Sequence, residues 1–220
     1  MSRILPADDL EQSRRAAILS AAAQVFAERG YDAATTLEIA ARAKTSKRAI
    51  YASFGNKRGI VRAMIAQRVR EMQRPLELEP PATRDEFFAA LQHFGITFMA
   101  ELLAPTTIGL IRLAIAEAAR STELGTALDD AGRLAVMEAL TGMFAHAAAQ
   151  RWVRFADVQR VADIYMFTLM GDVLMRLMIG AGDAPGGSDL RKRAELAVDV
   201  VREFDRAAQM RGPDALAPVT

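Results

Sequence analysis

The chain predicts an all-α protein. Glycine and proline punctuate long segments of helical apolar period, runs of β-branched residues in strict alternation are missing, and Ala, Leu, Met and Arg dominate the composition. With 220 residues and 51% apolar content, it can bury one sizeable core, or a small domain joined to a larger one. About nine helices are expected from these periodicities.

The first helix is expected over roughly Asp9–Glu28, with Ile18, Ala22, Val25 and Phe26 on one face and Gly30 past its end. The second opens at "TTLE", where Thr35 caps and Glu38, three residues on, closes a capping box; it runs to about Ala43. Ser46 caps a third helix that continues through Phe54. A fourth spans roughly Lys57–Gln73 with Val61, Met64, Ile65 and Met72 inward, and the three prolines of "RPLELEPPATR" then mark a domain boundary. The expected domains are therefore 1–73 and 84–220. Five more helical patterns follow, at about 84–103, 105–119, 122–150, 157–180 and 188–210, separated by Pro105, Ser121–Thr122, the Trp152–Ala156 corner and "GAGDAPGGS". The eighth, from Val161 to Ile179, is apolar almost all round, and the ninth carries Leu190, Ala194, Ala197, Val201 and Phe204 as one stripe with Leu196 and Val200 off it. A helix that is apolar on every side needs cover on every side, so helices 157–180 and 188–210 are expected to form a four-helix homodimer seam.

Charge is distributed unevenly. Residues 1–74 hold 14 Lys+Arg against 7 Asp+Glu, a net +7, while residues 75–220 hold 14 against 20, a net −6. Three of the four lysines, Lys44, Lys47 and Lys57, fall within fourteen residues. This separation fits a basic module made for a polyanion on a body that is not. Zero cysteines remove disulfides, thiol nucleophiles and thiolate metal sites, and the two histidines, His93 and His146, stand in no ligand spacing. No metal and no cofactor is expected. Nucleophile-elbow and glycine-rich phosphate motifs are also missing, so an enzyme is not expected. The most apolar run, "IYMFTLMGDVLMRLMIG", is interrupted by Asp172 and Arg176, and no basic start precedes an apolar run; the expectation is a cytoplasmic protein without a membrane span.

Two short helices joined by a tight turn, the second rich in cations, form a helix-turn-helix, whose second helix enters the major groove of double-stranded DNA. Helical geometry points Ile50 and Phe54 to the core, leaves Arg48, Tyr51 and Ala52 outside and puts Lys47 at the flank. Lys47 and Arg48 are long donors suited to guanine O6 and N7, and the Ala49 methyl suits a thymine methyl. Thr36, Tyr51, Ser53 and Lys57 are expected on phosphates.

These residues also carry a resemblance. From Arg14 to Ile65, "RRAAILSAAAQVFAERGYDAATTLEIAARAKTSKRAIYASFGNKRGIVRAMI" resembles the DNA-binding domain of the tetracycline-repressor (TetR) family, through its Phe-Ala-Glu-Arg-Gly-Tyr, Ile-Ala-Ala-Arg-Ala and Ser-Lys-x-x-x-Tyr-x-x-Phe-x-x-Lys elements. The resemblance implies a dimeric all-α repressor that leaves a palindromic operator when a small molecule fills a C-terminal pocket. It places base readers at Lys47, Arg48 and Ala49 and phosphate contacts at Thr36, Tyr51, Ser53 and Lys57. Two positions depart from the family pattern. Lys44 stands where glycine is usual in the turn, at a cost on the order of 1 kcal/mol if left-handed, and Ser53 stands where a bulkier ring is common.

The segment "IGLIRLAIAEAARSTELGTAL" resembles the C-terminal domain of AefR-like members in its Arg-Leu-x-Ile-x-Glu-Ala and Glu-Leu-Gly elements. A Phe- and Met-rich set on helices five to eight, including Phe94, Phe98, Ile115, Met137, Phe144 and Met170, suits an apolar effector of loose specificity. His93, Thr97, Arg112 and Glu117 lie among them, and a buried charge must be paired or bind something. These ten are the candidate effector residues. The competing reading is a helical scaffold that binds a protein, or a ligand-binding protein without DNA function; neither accounts for the basic N-terminal module.

Overall fold

The computed structural model describes residues 7–77, 81–120 and 122–211, and all the regular structure in them is helical. In chain order the helices are α1 (Ala7–Ala33), α2 (Thr36–Arg42), α3 (Lys47–Phe54), α4 (Lys57–Glu77), α5 (Arg84–Leu102), α6 (Pro105–Glu117), α7 (Glu123–Leu128), α8 (Ala135–Ala149), α9 (Val158–Met170), α10 (Val173–Met178) and α11 (Gly187–Arg211), with a π-helical segment, Asp129–Leu134, between α7 and α8. The all-α class is as the sequence predicts. Residues 78–80 of the expected boundary, and Ser121 of the expected break, lie outside the described residues. No single helix among the described residues is long and apolar enough to cross a membrane.

Two helices expected to be continuous are interrupted. The span 122–150 is divided by the π segment, whose hydrogen bonds each reach one residue further than α-helical ones. The span 157–180 breaks at Gly171 (φ 51, ψ −133), which lets the chain turn out of the helical basin between α9 and α10. Apolar residues continue on both sides of this break, so periodicity alone conceals it.

The chain gathers into two compact units: residues 1–67 with 109–132, and residues 68–108 with 133–220. The first unit thus includes α7 and most of α6, which the sequence assigns to the C-terminal domain. In it, the expected inward stripe of α1 is realised: Ile18, Ala22, Val25 and Phe26 are all buried. They share a core with Ile39 and Ala40 of α2, Ile50 of α3, and Ile60, Val61 and Ile65 of α4. Each large side chain so buried contributes roughly 1.5–3 kcal/mol. Near its end, α1 bends at Gly30, whose φ of 76 and ψ of 173 lie in a region open essentially to glycine. The bend redirects Tyr31, Asp32 and Ala33 towards the start of α2.

In the second unit α11 packs on α5 and α9, and α8 packs on α9. Leu190, Ala194, Ala197 and Val201 of the expected α11 stripe are buried, whereas Phe204 is 39% exposed. The core is aromatic: Phe87 meets Phe88 and Phe144, Phe94 meets Phe98 and Tyr165, and Phe144 also meets Phe155 and Tyr165, with ring centroids 5.0–6.3 Å apart. Tyr165 is fully buried and donates its hydroxyl to the Leu91 carbonyl at 2.8 Å; burial pushes its phenol well above the usual range. Asp205, at 0% exposure, is the charged group of this core. It accepts from Arg84 Nη2 at 2.9 Å, from the Arg154 backbone N–H at 2.7 Å and from Gln209 Nε2 at 2.9 Å, so its lone pairs are well used. Arg84 in turn donates to the Trp152 carbonyl and lies over the Phe88 ring. This one carboxylate therefore ties α11 to the start of α5 and to the 150–157 corner.

Two stability predictions follow from these features. Gly30→Ala costs on the order of 1–3 kcal/mol in urea unfolding, all of it backbone strain, because nothing lies within 4 Å of where its Cβ would stand. Asp205→Ala costs about 2–4 kcal/mol in the same measurement, because buried donors lose their acceptor while the half-exposed Arg84 regains water. An unchanged midpoint in either variant would contradict the role given to that residue.

Candidate nucleic-acid interface

The geometry of the helix-turn-helix starts from its caps. Thr35 is extended, and its Oγ1 accepts from the Glu38 N–H at 3.1 Å while the Glu38 carboxylate accepts from the Thr35 N–H at 3.1 Å: the expected capping box, complete. The Thr35 hydroxyl, which donates to the same carboxylate at 2.9 Å, and then the Thr35 backbone N–H hold the Glu38 carboxyl below its usual range. Arg42, in the last turn of α2, makes a bidentate pair with Glu28 of α1 at 2.7 and 2.8 Å, which likewise holds the Glu28 carboxyl low. Lys44 turns the chain with a left-handed φ of 51, so the turn is not reshaped and the lysine bears the strain that glycine would avoid. Ser46 then caps α3, its Oγ accepting from the Ala49 N–H at 3.0 Å.

Of α3's eight residues, Ile50 is fully buried and Phe54 half-buried, while Lys47, Arg48, Tyr51 and Ala52 face solvent. Ala49 is half-buried on the same side. The Lys47 ammonium lies 5.7 Å from the centre of the Tyr51 ring, so cation and phenol form one patch. Thr36 is the first residue of α2 and half-buried beside the capped N-terminus. Ser53 is half-buried at the far end of α3. α4 begins so close behind α3 that a Cβ on Gly59 would fall 1.7 Å from the Phe54 carbonyl oxygen, which only glycine tolerates. The face is thus short, capped, basic and backed by a single core anchor.

Lys57 stands apart from the other candidates. Its ammonium is turned inward and donates to the carbonyls of Tyr31, Ala34 and Asp32 at 2.5, 3.1 and 3.2 Å, with the Tyr31 ring 4.2 Å away. All three of its N–H donors have protein partners, so it is not presented to a phosphate as the other candidates are. Arg15 is a contributor the sequence reading missed: it donates to the Ser53 carbonyl at 2.9 Å and stacks 4.6 Å over the Phe54 ring. A signal for it existed, since Arg15, Ile18, Ala22 and Val25 share one helical stripe and a cation on an apolar stripe needs a partner.

The ten candidate effector residues do not form one lining. Phe94 and Phe144 are fully buried against other rings; Phe98 belongs to the same cluster, so these side chains fill the core. His93 and Arg112 are exposed, and Ile115 is 60% exposed, because each falls off the buried stripe of its helix. Thr97, Met137 and Met170 are half-buried. Glu117 is buried with Arg120 Nη1 3.9 Å away, but Arg112, Ile115 and Glu117 belong to the first unit and the other seven to the second. An open cleft of about 510 Å³ lies elsewhere, lined by Val173, Arg176, Gly182, Asp183, Pro185, Asp189, Lys192, Arg193 and Leu196 of α10, α11 and the link between them.

Comparison with known proteins agrees with this geometry. Residues 18–64 match the family model of bacterial regulatory proteins of the tetR family, and residues 89–204 match that of the C-terminal domain of AefR-like transcriptional repressors. The HTH-type transcriptional regulator YvkB of Bacillus subtilis is 36% identical over 85 residues, which span 39% of this chain and 43% of that protein. The HTH-type transcriptional repressor Rv3405c of Mycobacterium tuberculosis is 33% identical over 150 residues, 67% of this chain and 76% of that one. A TetR transcriptional regulator from Agrobacterium tumefaciens has a similar structure, with a TM-score of 0.71 at 25% identity over 89% of this chain and 98% of its own. With both family models matched in order, and the capped recognition helix standing within the first of them, the chain belongs to the tetR family of bacterial transcriptional regulators, with an AefR-like C-terminal domain.

Proposed function

We propose that the protein is a ligand-responsive repressor that binds a palindromic operator as a homodimer. The observation that carries this reading is the outer face of α3, where Lys47, Arg48 and Tyr51 stand exposed on a capped helix anchored by buried Ile50. Such a helix presents donors to the major groove while its short side chains let the backbone approach. Lys47, Arg48 and Ala49 read base edges; Thr36, Tyr51 and Ser53 hold phosphates. The repressor sign is supported by the AefR-like domain and by the description of Rv3405c as a repressor.

Dimerisation is supported by the large apolar side chains that α9, α10 and α11 leave in water: Phe167 at 73% exposure, Ile179 at 69%, with Met175, Leu196 and Phe204 also exposed. Their burial against a second copy of the same helices would remove an apolar face that a monomer leaves wet. A dimer sets two α3 helices on two half-sites, hence the palindrome. The effector is a small, largely apolar molecule. Its coupling to DNA is supported by the position of segment 109–132 in the same compact unit as the helix-turn-helix, where Arg120 pairs with Asp32 at 3.2 Å and Arg58 pairs with Glu123. A ligand that moves α6 or α7 thereby acts on the base of the reading head, a coupling typically worth ~1–3 kcal/mol.

Selection of bound duplexes from a random DNA pool tests the reading, and a palindromic motif is expected. On that motif, Arg48→Ala relaxes preference at one base position by about 1–3 kcal/mol, whereas Tyr51→Phe weakens binding to all duplexes alike. Equal losses on matched and mismatched duplexes for both variants would overturn the assigned roles.

A further inference from the structure

The positive charge of the N-terminal module is not all available to a polyanion. Lys57, the first residue of α4, directs its ammonium at the carbonyls of Tyr31, Asp32 and Ala34, the last oxygens of α1 and of its link to α2. Carbonyls at a helix C-terminus lack intrahelical partners and carry the negative end of the helix dipole, so a cation there is bound by charge as well as by hydrogen bonds. An ammonium has three donors and no acceptor, and three carbonyls use all of them. At the other side of the same corner, Arg15 of α1 donates to the Ser53 carbonyl and covers the Phe54 ring. Residues 53–57, where α3 ends and α4 begins, are therefore gripped by two cations: Arg15 from the N-terminal half of α1 holds the Ser53 carbonyl, and Lys57 holds the carbonyls at and just past the C-terminal end of α1. Reaching a phosphate would require Lys57 to abandon three charge-assisted bonds and leave the part-buried Tyr31 and Ala34 carbonyls without it.

We infer that Lys57, with Arg15 as its counterpart, is a positioning residue that fixes where α3 stands on its frame and neutralises no phosphate. This inference rests on the proposed reading of an operator by α3. It separates two quantities that a phosphate contact would join: operator affinity depends on Lys57, and the salt dependence of that affinity does not.

The test uses the full-length protein, with Lys57→Met and Lys57→Arg variants, the selected operator at a series of salt concentrations, and thermal unfolding of the free protein. Lys57→Met should melt at a lower temperature and bind the operator about tenfold more weakly. Its plot of log affinity against log salt should keep the wild-type slope. Lys57→Arg should also lose stability and affinity, because a guanidinium reaches a phosphate as well as lysine does but spreads its donors in one plane over three nitrogens and so does not match three carbonyls that converge on one. The inference is overturned if Lys57→Met flattens the slope by about 0.9 per protomer with unchanged melting. Wild-type affinity and melting in Lys57→Arg overturn it too, and that arm decides the matter should Lys57→Met not fold. If the wild-type protein selects no DNA, the operator reading fails, yet the melting arm still judges Lys57: unchanged melting of both variants removes the clamp.

Discussion

An eight-residue helix cannot hold itself in water, and the function of this molecule depends on one. Nucleating a helix is costly and short segments do not repay it, so α3 exists only because other parts of the chain hold it. Ile50 supplies the core anchor, Ser46 closes one end, and Arg15 holds the carbonyl of Ser53 at the other. The surrounding structure is organised by the same need. α2 is fixed by its capping box and by the Arg42–Glu28 pair, and α4 by Lys57 on the end of α1. Each of these contacts is individually small, and the surface pairs are screened by salt. Together they set the orientation of the exposed face of α3.

The second unit answers a different constraint. Its interior is made of rings that fit against one another, with the Tyr165 hydroxyl on the Leu91 carbonyl and Asp205 on three donors, while the buried Thr107 hydroxyl has no partner. Close-packed interiors transmit displacement rather than absorb it. The interruptions, the π segment at Asp129–Leu134 and the break at Gly171, sit outside that ring cluster. Large apolar side chains are left exposed on α9 to α11, Phe167, Met175 and Leu196 among them.

Lys57 and the effector set show how much charge and aromatic content leave open when read by position alone. A lysine that follows a basic helix reads as one more phosphate ligand, because along the chain its neighbours are Arg48 and Arg58. In space its neighbours are three carbonyl oxygens from residues 31–34. A run of Phe and Met on helical spacing reads equally as a pocket or a packed core; here Phe94 and Phe144 are fully buried and each packs against Tyr165, at ring-centroid distances of 6.3 and 6.2 Å. Helical period says which residues share a face. It does not say what stands opposite.

Local signals were legible from the sequence alone. Thr35, Glu38 and Ser46 announced their helix starts because a cap and its N–H lie within three residues; Ile18, Ala22, Val25 and Phe26 announced the core of α1 because the period of 3.6 puts them on one stripe. The resemblance carried by Arg14–Ile65 indicated the family for the same reason, since a recognition helix and its caps are contiguous. Tertiary structure alone decided which cations face outward, which rings fill the core, and that residues 109–132 join the first unit. Those outcomes depend on groups tens of residues apart, from the 26 between Tyr31 and Lys57 to the 121 between Arg84 and Asp205, and no local pattern encodes a partner at that distance.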